Sequence, residues 1–155
     1  MASVSLEKKG EGHYEHHGTP VPCSISLPTL HSGTKILIEG KTLPNAKGFS
    51  VNFCAGHNLD HDIAFHYNPR LEMNRVVSNT KHNGGWGAEE ISNDVPFGHD
   101  KPFKLKIKLT NNGYEVEVSK GPAIHYNHRL PLDKVTHLYL HGDISVSLIK
   151  LKAKK

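Results

Sequence analysis

Three hydrogen-bonding side chains recur at every second position of one short segment. His66, Asn68 and Arg70 alternate there with the apolar residues Phe65 and Tyr67. Successive side chains of a β-strand point to opposite faces, so a strand here would have one apolar face for the core and one polar face. A row of fixed donors and acceptors can hold a polyhydroxylated ring, whose hydroxyls both donate and accept hydrogen bonds.

Three further residues add to this polar row. Asn79 lies on the next candidate strand, which a hairpin would place beside the first, and Glu89 supplies a carboxylate acceptor. Trp86 offers a flat apolar plate for the C–H face of a sugar ring. Trp86 by itself is more typical of a buried core residue, and His66, Asn68 and Arg70 by themselves of a solvated strand face. The joint arrangement is what favours a carbohydrate site.

Short alternating segments separated by turn residues run through most of the chain. They predict an all-β fold, a β-sandwich of two antiparallel sheets or a barrel, because many short strands at 8–12-residue spacing are typical of both. A single helical turn is predicted near Pro131 to Lys134. The predicted strands are 35–39, 49–54, 62–68, 75–79, 87–90, 103–110, 114–119, 123–126, 135–140 and 144–151.

Two of these strands carry opposite charges on their polar faces. Lysines alternate with apolar residues from 103 to 109, and Glu115 and Glu117 alternate with apolar residues from 114 to 118. The turn Asn111-Asn112-Gly113 lies between them. The pattern predicts a hairpin in which the lysine row faces the glutamate row.

A chain of 155 residues is long enough to bury one core, and it predicts one domain. Residues 1–19 are rich in Lys, Glu, His and Gly without periodicity, so we expect a flexible N-terminal tail. We expect the folded domain to cover residues 20–152. Residues 153–155 would then form a short basic C-terminal end.

The net charge of +4 comes largely from lysines near the two ends. Such ends are usually solvated, so neither nucleic acid nor a membrane is an expected partner. No apolar run follows the first residue, which predicts cytoplasmic synthesis without a secretory signal. Cys23 and Cys54 are too few for a disulfide framework and are expected to be free thiols.

Neither catalysis nor metal binding is indicated. Glu89 and Glu90 are adjacent on a candidate strand and would face opposite ways, so they cannot flank a glycosidic bond as a pair. His57 and His61 form the closest histidine cluster, but they lie in a Gly/Asn-rich loop and lack the four-ligand spacing of a zinc site. The sequence therefore predicts a non-enzymatic protein with no cofactor and no metal.

Together these motifs are highly specific, and the chain from about Val21 to Leu151 resembles the carbohydrate-recognition domain of the galectins. That family has a jelly-roll β-sandwich of two antiparallel sheets and binds β-galactosides. The motifs that carry the resemblance are 66–70 (HYNPR), 76–79 (VVSN), 86–90 (WGAEE), 40–44 (GKTLP), 49–53 (FSVNF), 128–132 (HRLPL) and 142–144 (GDI).

The resemblance implies a role for each residue of the row. Hydrogen bonds to the axial 4-hydroxyl of galactose would come from His66, Asn68 and Arg70. The 6-hydroxyl would be bound by Asn79 and Glu89. A stacking contact on the C–H face would come from Trp86.

One position departs from the family pattern. An Arg normally lies two residues after the Glu, where it orients that Glu and reaches the sugar next to galactose; this chain has Ile91 there. We expect Ile91 to alter the preference for the second sugar and leave the galactose row intact. Arg75 and Lys81 are candidates to replace the missing cation, and the sequence does not place either.

The function expected from the sequence is a lectin for galactose, lactose or N-acetyllactosamine-type glycans that cross-links glycoproteins or glycolipids, with a homodimer as one route to two sites. The family resemblance implies export from the cytoplasm without a signal peptide. The alternative is a galectin-fold module that contacts proteins and has weak or lost sugar binding.

Overall fold

The computed structural model describes residues 2–153 and forms a β-sandwich. The predicted all-β fold is confirmed. Fifteen strands and two 3₁₀ turns (Leu71–Met73 and Leu132–Lys134) follow one another within these residues. The strands are β1 (Ala2–Ser5), β2 (Glu7–Gly10), β3 (His13–Thr19), β4 (Cys23–Ser26), β5 (Lys35–Thr42), β6 (Phe49–Cys54), β7 (Ile63–Arg70), β8 (Arg75–His82), β9 (Gly85–Trp86), β10 (Glu90–Ser92), β11 (Pro102–Leu109), β12 (Gly113–Val118), β13 (Ile124–Asn127), β14 (His137–Gly142) and β15 (Ile144–Lys152).

The strands divide into two sheets. Sheet A has the order β1-β4-β14-β6-β7-β8-β10, with β9 paired to β8. Sheet B has the order β13-β12-β11-β5-β15-β3-β2. The strand pairs are antiparallel except β1 with β4, which is parallel. The strand that carries the polar row, β7, lies inside sheet A between β6 and β8, so hydrogen bonds on both sides hold it rigid.

The core lies between the sheets and is rich in aromatic residues. Phe65 of sheet A stacks on Tyr114 of sheet B, with ring centroids 4.5 Å apart, and on Tyr126 at 4.9 Å. Phe53 lies 5.2 Å from Tyr114. Because Phe65 and Tyr67 are buried here, the alternate residues of β7 are directed to the outer face of sheet A.

The predicted N-terminal tail is wrong for residues 2–19, which form β1, β2 and β3. The sequence lacks a strong alternation there, but both sheets offer open edges that satisfy its backbone groups. Strand β1 adds to β4, and β3 adds to β15. Ala2, Val4 and Leu6 are partly buried against the core. At the other end, Lys154 and Lys155 of the expected basic end lie outside the described residues.

Two further differences concern strands. Cys23–Ser26 forms β4 although its alternation is too short to identify from sequence, and the predicted strand 87–90 is replaced by the separate strands β9 and β10. Between them, Gly87 N–H donates to the Thr80 carbonyl at 2.9 Å, and the side-chain amide of Asn79 bonds the Gly87 carbonyl. A side chain thus takes the place of ladder hydrogen bonds, which ends the strand.

The predicted charged hairpin is confirmed in its register. Lys106 is paired with Glu117 and Lys108 with Glu115 across β11 and β12. None of these four residues belongs to an ion pair within 4.0 Å among residues 2–153. The lysine row is therefore less neutralised than the sequence suggests.

Both cysteines are free and buried, as expected for free thiols. Burial raises the pKa of Cys54 to about 12, so this thiol stays protonated and is a poor nucleophile. Within residues 2–153, no helix has the length and apolar character needed to span a membrane.

Candidate functional site

The strand register brings the predicted polar residues together on the outer face of sheet A. His66 is paired with Asn52 of β6 on one side and with Asn79 of β8 on the other. Cross-strand partners share a face, so all three side chains lie on the same polar surface. The hairpin prediction that placed Asn79 beside the row is thus met by the geometry.

His66 is held in one orientation by Asn52, which is fully buried. The amide nitrogen of Asn52 donates to Ser50 Oγ and to the Tyr139 carbonyl, each at 3.1 Å. The remaining amide oxygen can only accept, so the Nδ1 atom of His66 must carry the proton in their hydrogen bond. The Nε2 atom is then an acceptor lone pair.

The electrostatic surroundings keep His66 neutral. Burial, followed by the positive charge of Arg70, lowers the pKa of His66 from 6.5 to about 4. A neutral ring with its proton on Nδ1 can accept a hydrogen bond from a ligand hydroxyl near neutral pH.

The next two members of the row fix each other. Arg70 Nε donates to Asn68 Oδ1 at 2.9 Å, and Asn68 Nδ2 donates to the Phe49 carbonyl at 2.7 Å. These contacts leave one N–H and one lone pair on the Asn68 amide and both terminal nitrogens of Arg70 for a ligand. Arg70 Nη2 also lies 3.8 Å from a carboxylate oxygen of Glu89.

Asn79 is a structural and a candidate binding residue at once. Its Nδ2 donates to the Gly87 carbonyl at 2.9 Å, and its Oδ1 accepts from Thr80 N–H at 2.8 Å and from Arg129 Nη1 at 3.2 Å. Both lone pairs of the oxygen are used. Asn79 can therefore offer a ligand one N–H donor and no acceptor.

Trp86 is exposed, with 51% of its surface accessible, so the core interpretation of this residue is wrong. It is paired with Lys81 where β9 meets β8. Its ring lies 4.8 Å from the His66 ring at an interplanar angle of 55°. A large apolar ring left in water beside a polar row is typical of a binding surface.

These residues surround an open cleft of about 430 Å³. All of the predicted site residues except Asn68 line it directly. Asn68 fixes Arg70 and keeps one N–H of its amide for a ligand. Donors and acceptors border one apolar ring, as a sugar requires. The lining consists of His66, Arg70, Val77, Asn79, Trp86, Gly87 and Glu89.

Comparison with known proteins identifies the family. The galactoside-binding lectin family model matches residues 20–151. This chain is a galectin. Galectins are carbohydrate-binding lectins and not enzymes. Membership of the family therefore confirms two expectations from the sequence, a galactoside-binding lectin and a protein that is not an enzyme.

Its curated relatives include galectins that align over almost their whole length. Galectin-7 of Rattus norvegicus is 35% identical over 136 residues, which cover 88% of this chain and 96% of the relative. Galectin-7 of Homo sapiens is 37% identical over 132 residues, covering 84% and 97%. Among solved structures, a doubly substituted human galectin-16 has a TM-score of 0.82 at 32% identity and covers 90% of this chain and 100% of that one.

Two supporting residues of this galectin were not assigned a role from the sequence. Asn52 alternates with the buried Val51 and Phe53, and that alternation places it on the polar face next to His66. Arg129 reaches Asn79 from a distant loop and also bonds Glu90 at 2.9 Å. No local pattern in the sequence signals the contact made by Arg129.

Ile91 lies on β10, next to a residue that lines the cleft. Ile91 is paired with Val77, which lines the cleft, and 49% of its surface is exposed. Of the two candidate replacements, Lys81 donates its Nζ to the Leu59 carbonyl at 2.6 Å, away from the cleft. Arg75 is paired with Arg70 on the cleft face, and its Nε is buried without a hydrogen-bond partner among residues 2–153.

Proposed function

We propose that the cleft of this galectin binds the galactose ring of β-galactosides. Asn68 and Arg70 donate hydrogen bonds to the axial 4-hydroxyl oxygen. The Nε2 atom of His66 accepts a hydrogen bond from the same hydroxyl. Asn79 and Glu89 bind the 6-hydroxyl, and Trp86 packs on the C–H face. The exposed Trp86 beside the ordered polar row is the single observation that carries this assignment.

The free donors and acceptors match an axial 4-hydroxyl. Its proton has one acceptor available at His66 Nε2, and its lone pairs have donors at Asn68 and Arg70. Glucose has this hydroxyl equatorial, so the same groups would be left unpaired. Because unpaired buried polar groups cost about 1–3 kcal/mol each, the row discriminates strongly against glucose.

The 6-hydroxyl has a matching pair of partners. Asn79 retains one N–H as a donor, and Glu89 has carboxylate oxygens that accept. The Glu89 carboxylate is held near Arg70 at 3.8 Å, which supplies a cation to orient it in place of the family Arg. The contact is long and partly exposed, so Glu89 is held more loosely than a bidentate pair would hold it.

Monovalent binding is expected to be weak. Several hydrogen bonds contribute about 1 kcal/mol each, and one stacked ring adds a small apolar contribution. After the costs of association are subtracted, the remaining binding free energy corresponds to a Kd of roughly 10⁻³ to 10⁻⁵ M. Cross-linking of glycoproteins or glycolipids then requires more than one site.

Strands β1 and β10 end sheet A, and pairing of β1 edges is the route we propose to a homodimer. Light scattering across protein concentrations tests it.

The assignment is tested by titrating lactose, N-acetyllactosamine and glucose while the fluorescence of Trp86, the only tryptophan, is recorded. The two galactosides should change the signal with saturation, and glucose should not. Trp86→Ala and Glu89→Ala should lose retention on a galactoside column while the circular dichroism spectrum is unchanged. Absence of any signal at high millimolar lactose would favour the alternative, a galectin-fold protein-interaction module.

We propose cytoplasmic synthesis followed by non-classical export, because the ligands of galectins are glycans of glycoproteins and glycolipids. Two free buried cysteines are compatible with a reducing compartment during folding. Detection of the native protein in conditioned medium and in cell lysate would test the proposal.

A further inference from the structure

The outer face of sheet B, opposite the sugar cleft, carries a cluster of lysines on its central strands. Lys108 of β11 is paired directly with Lys35 of β5, and Lys35 is paired directly with Lys152 of β15. Lys106 and Lys150 flank the same place, on either side of Leu37. We call these five lysines the lysine face.

The lysine face breaks a rule of sheet stability. Like charges directly opposite each other on neighbouring strands are destabilising. Lys35 has a lysine directly opposite it on each of its two neighbouring strands. Lysines often protect the edge of a sheet against aggregation, but β11, β5 and β15 are the third, fourth and fifth of seven strands. Edge protection therefore does not account for them.

The charges of the lysine face are also poorly compensated. Of its five lysines, only Lys150 has an acidic partner among the ion pairs of residues 2–153, namely Glu15, and that contact is 4.0 Å long. All five lysines are exposed, and they border a shallow depression of about 480 Å³ together with Glu115 and Glu117, so five cations outnumber two carboxylates there. Cations in excess, about 5 Å apart across strands and about 7 Å apart along them, form an array suited to closely spaced anions.

We propose that the lysine face binds a sulfated polysaccharide. Charge complementarity requires a polyanion, and the lysine ammonium is a point charge that suits single sulfate contacts. The exposed large apolar residues of the described chain are Leu43, Met73, Trp86 and Ile91, and none lies on β5, β11 or β15. The face thus lacks both a stacking platform for bases and an apolar anchor for a membrane.

The sugar cleft lies on the outer face of sheet A and the lysine face on that of sheet B. The two sites point away from each other, so one chain can hold a galactoside and a sulfated polysaccharide together. Such a chain links two glycans without self-association.

The test is calorimetric titration with a heparin oligosaccharide at several salt concentrations. The triple variant Lys35→Gln, Lys108→Gln, Lys152→Gln should bind at least tenfold more weakly than the parent. The matched variant Lys47→Gln, Lys101→Gln, Lys134→Gln removes the same charge elsewhere and should lose less than threefold. Equal losses in the two variants would overturn the proposal, because net charge alone would then explain binding.

Two competitor experiments separate the ligand classes and the sites. Saturating lactose should leave heparin binding unchanged, and displacement by lactose would place heparin in the cleft and overturn the proposal. A single-stranded oligonucleotide and phosphatidylserine vesicles should bind at least tenfold more weakly than the heparin oligosaccharide. If either of these ligands binds as tightly as heparin or more tightly, and the triple variant loses that binding, the lysine face is a site for that ligand and the proposal is overturned.

Discussion

The Nδ1 atom of His66 donates to the amide oxygen of Asn52 on the neighbouring strand. Asn52 has no exposed surface, and its amide orientation is fixed by Ser50 and by the Tyr139 carbonyl. A residue that cannot touch the sugar therefore determines which nitrogen of His66 is free to accept a hydrogen bond.

Asn52→Ala should weaken galactoside binding by roughly tenfold, because the His66 ring loses the partner that fixes its orientation and tautomer. Lactose titration followed by Trp86 fluorescence measures the change. Ser24→Ala is a matched control: Ser24 is buried in β4, and its hydroxyl makes no hydrogen bond among residues 2–153. A similar loss in both variants would show that general destabilisation, and not His66, is responsible.

The pKa of His66 predicts how binding depends on pH. Burial and Arg70 lower that pKa from 6.5 to about 4, so the ring keeps its acceptor lone pair throughout the range from pH 8 to pH 5. Affinity for lactose should stay nearly constant there and fall about tenfold per pH unit below pH 4. Fluorescence titrations at half-unit intervals test this, and a midpoint near pH 6.5 would contradict a buried, neutral His66.

The same shift affects stability. His66 has a higher pKa in the unfolded chain, so the unfolded state binds the proton more readily as the pH falls below 6.5. The stability associated with neutral His66 is present above pH 6.5 and is lost between about pH 6.5 and pH 4. A shift of this size corresponds to about 3 kcal/mol. Comparison of urea unfolding for the parent and His66→Gln from pH 7 to pH 4 isolates this contribution.

Ile91→Arg should restore a cation where the family has one. The new side chain would extend from the position paired with Val77 toward Glu89 at the end of the cleft. Lactose affinity should rise about fivefold, since a hydrogen bond to a charged group contributes on the order of 1 kcal/mol or more. Free galactose should bind as before. Ile91→Met controls for loss of the branched side chain. If Ile91→Arg raised the affinity for free galactose as much as that for lactose, the effect would not be at the second sugar.

The periodicity of β7 was enough to predict which face of the strand is polar, because burial of Phe65 and Tyr67 leaves His66, Asn68 and Arg70 no other direction. The hairpin partner Asn79 followed from proximity in sequence. Contacts between distant segments were not predictable in this way. Arg129 reaches Asn79 across 50 residues, and only the closed sandwich brings them together.

The error at residues 2–19 has a related cause. Composition favoured a tail because Lys, Glu, His and Gly dominate there. The sheet edges of β4 and β15 supply hydrogen-bond partners that composition does not reveal, and tertiary context then overrides local preference. The segment 87–90 shows the opposite case, in which a side-chain amide competes with the backbone ladder and ends a predicted strand.

Arg75→Met should weaken binding of disaccharides and spare free galactose. Arg75 is paired with Arg70, which lines the cleft, and its Nε is buried without a hydrogen-bond partner in the described chain. Arg75 belongs to no ion pair within 4.0 Å among residues 2–153, so we expect its terminal nitrogens to bond the oxygens of the second sugar in place of the absent family Arg. The expected loss for lactose is threefold to tenfold, and Met retains most of the apolar stem.

Lys81→Met is the matched control for Arg75→Met. Its ammonium bonds the Leu59 carbonyl away from the cleft, so lactose affinity should be unchanged. Calorimetry with galactose and lactose on both variants separates the two sugars. An unchanged lactose Kd in Arg75→Met would show that Arg75 has no role at the second sugar, and an equal loss for galactose would indicate a disturbed Arg70.

Removal of residues 1–6 should destabilise the domain and change its association. The deletion exposes the edge of β4 and uncovers the core surface that Ala2, Val4 and Leu6 partly bury. Partial burial of three small apolar side chains contributes about 1–3 kcal/mol, which urea unfolding would detect. The deletion also removes the β1 edge that we propose to form the homodimer, so light scattering should show less dimer than in the parent. Replacement of residues 2–6 by a Gly/Ser segment of equal length should reproduce both effects. A deletion variant with the stability and the association of the parent would show that β1 contributes little to the fold or to the dimer.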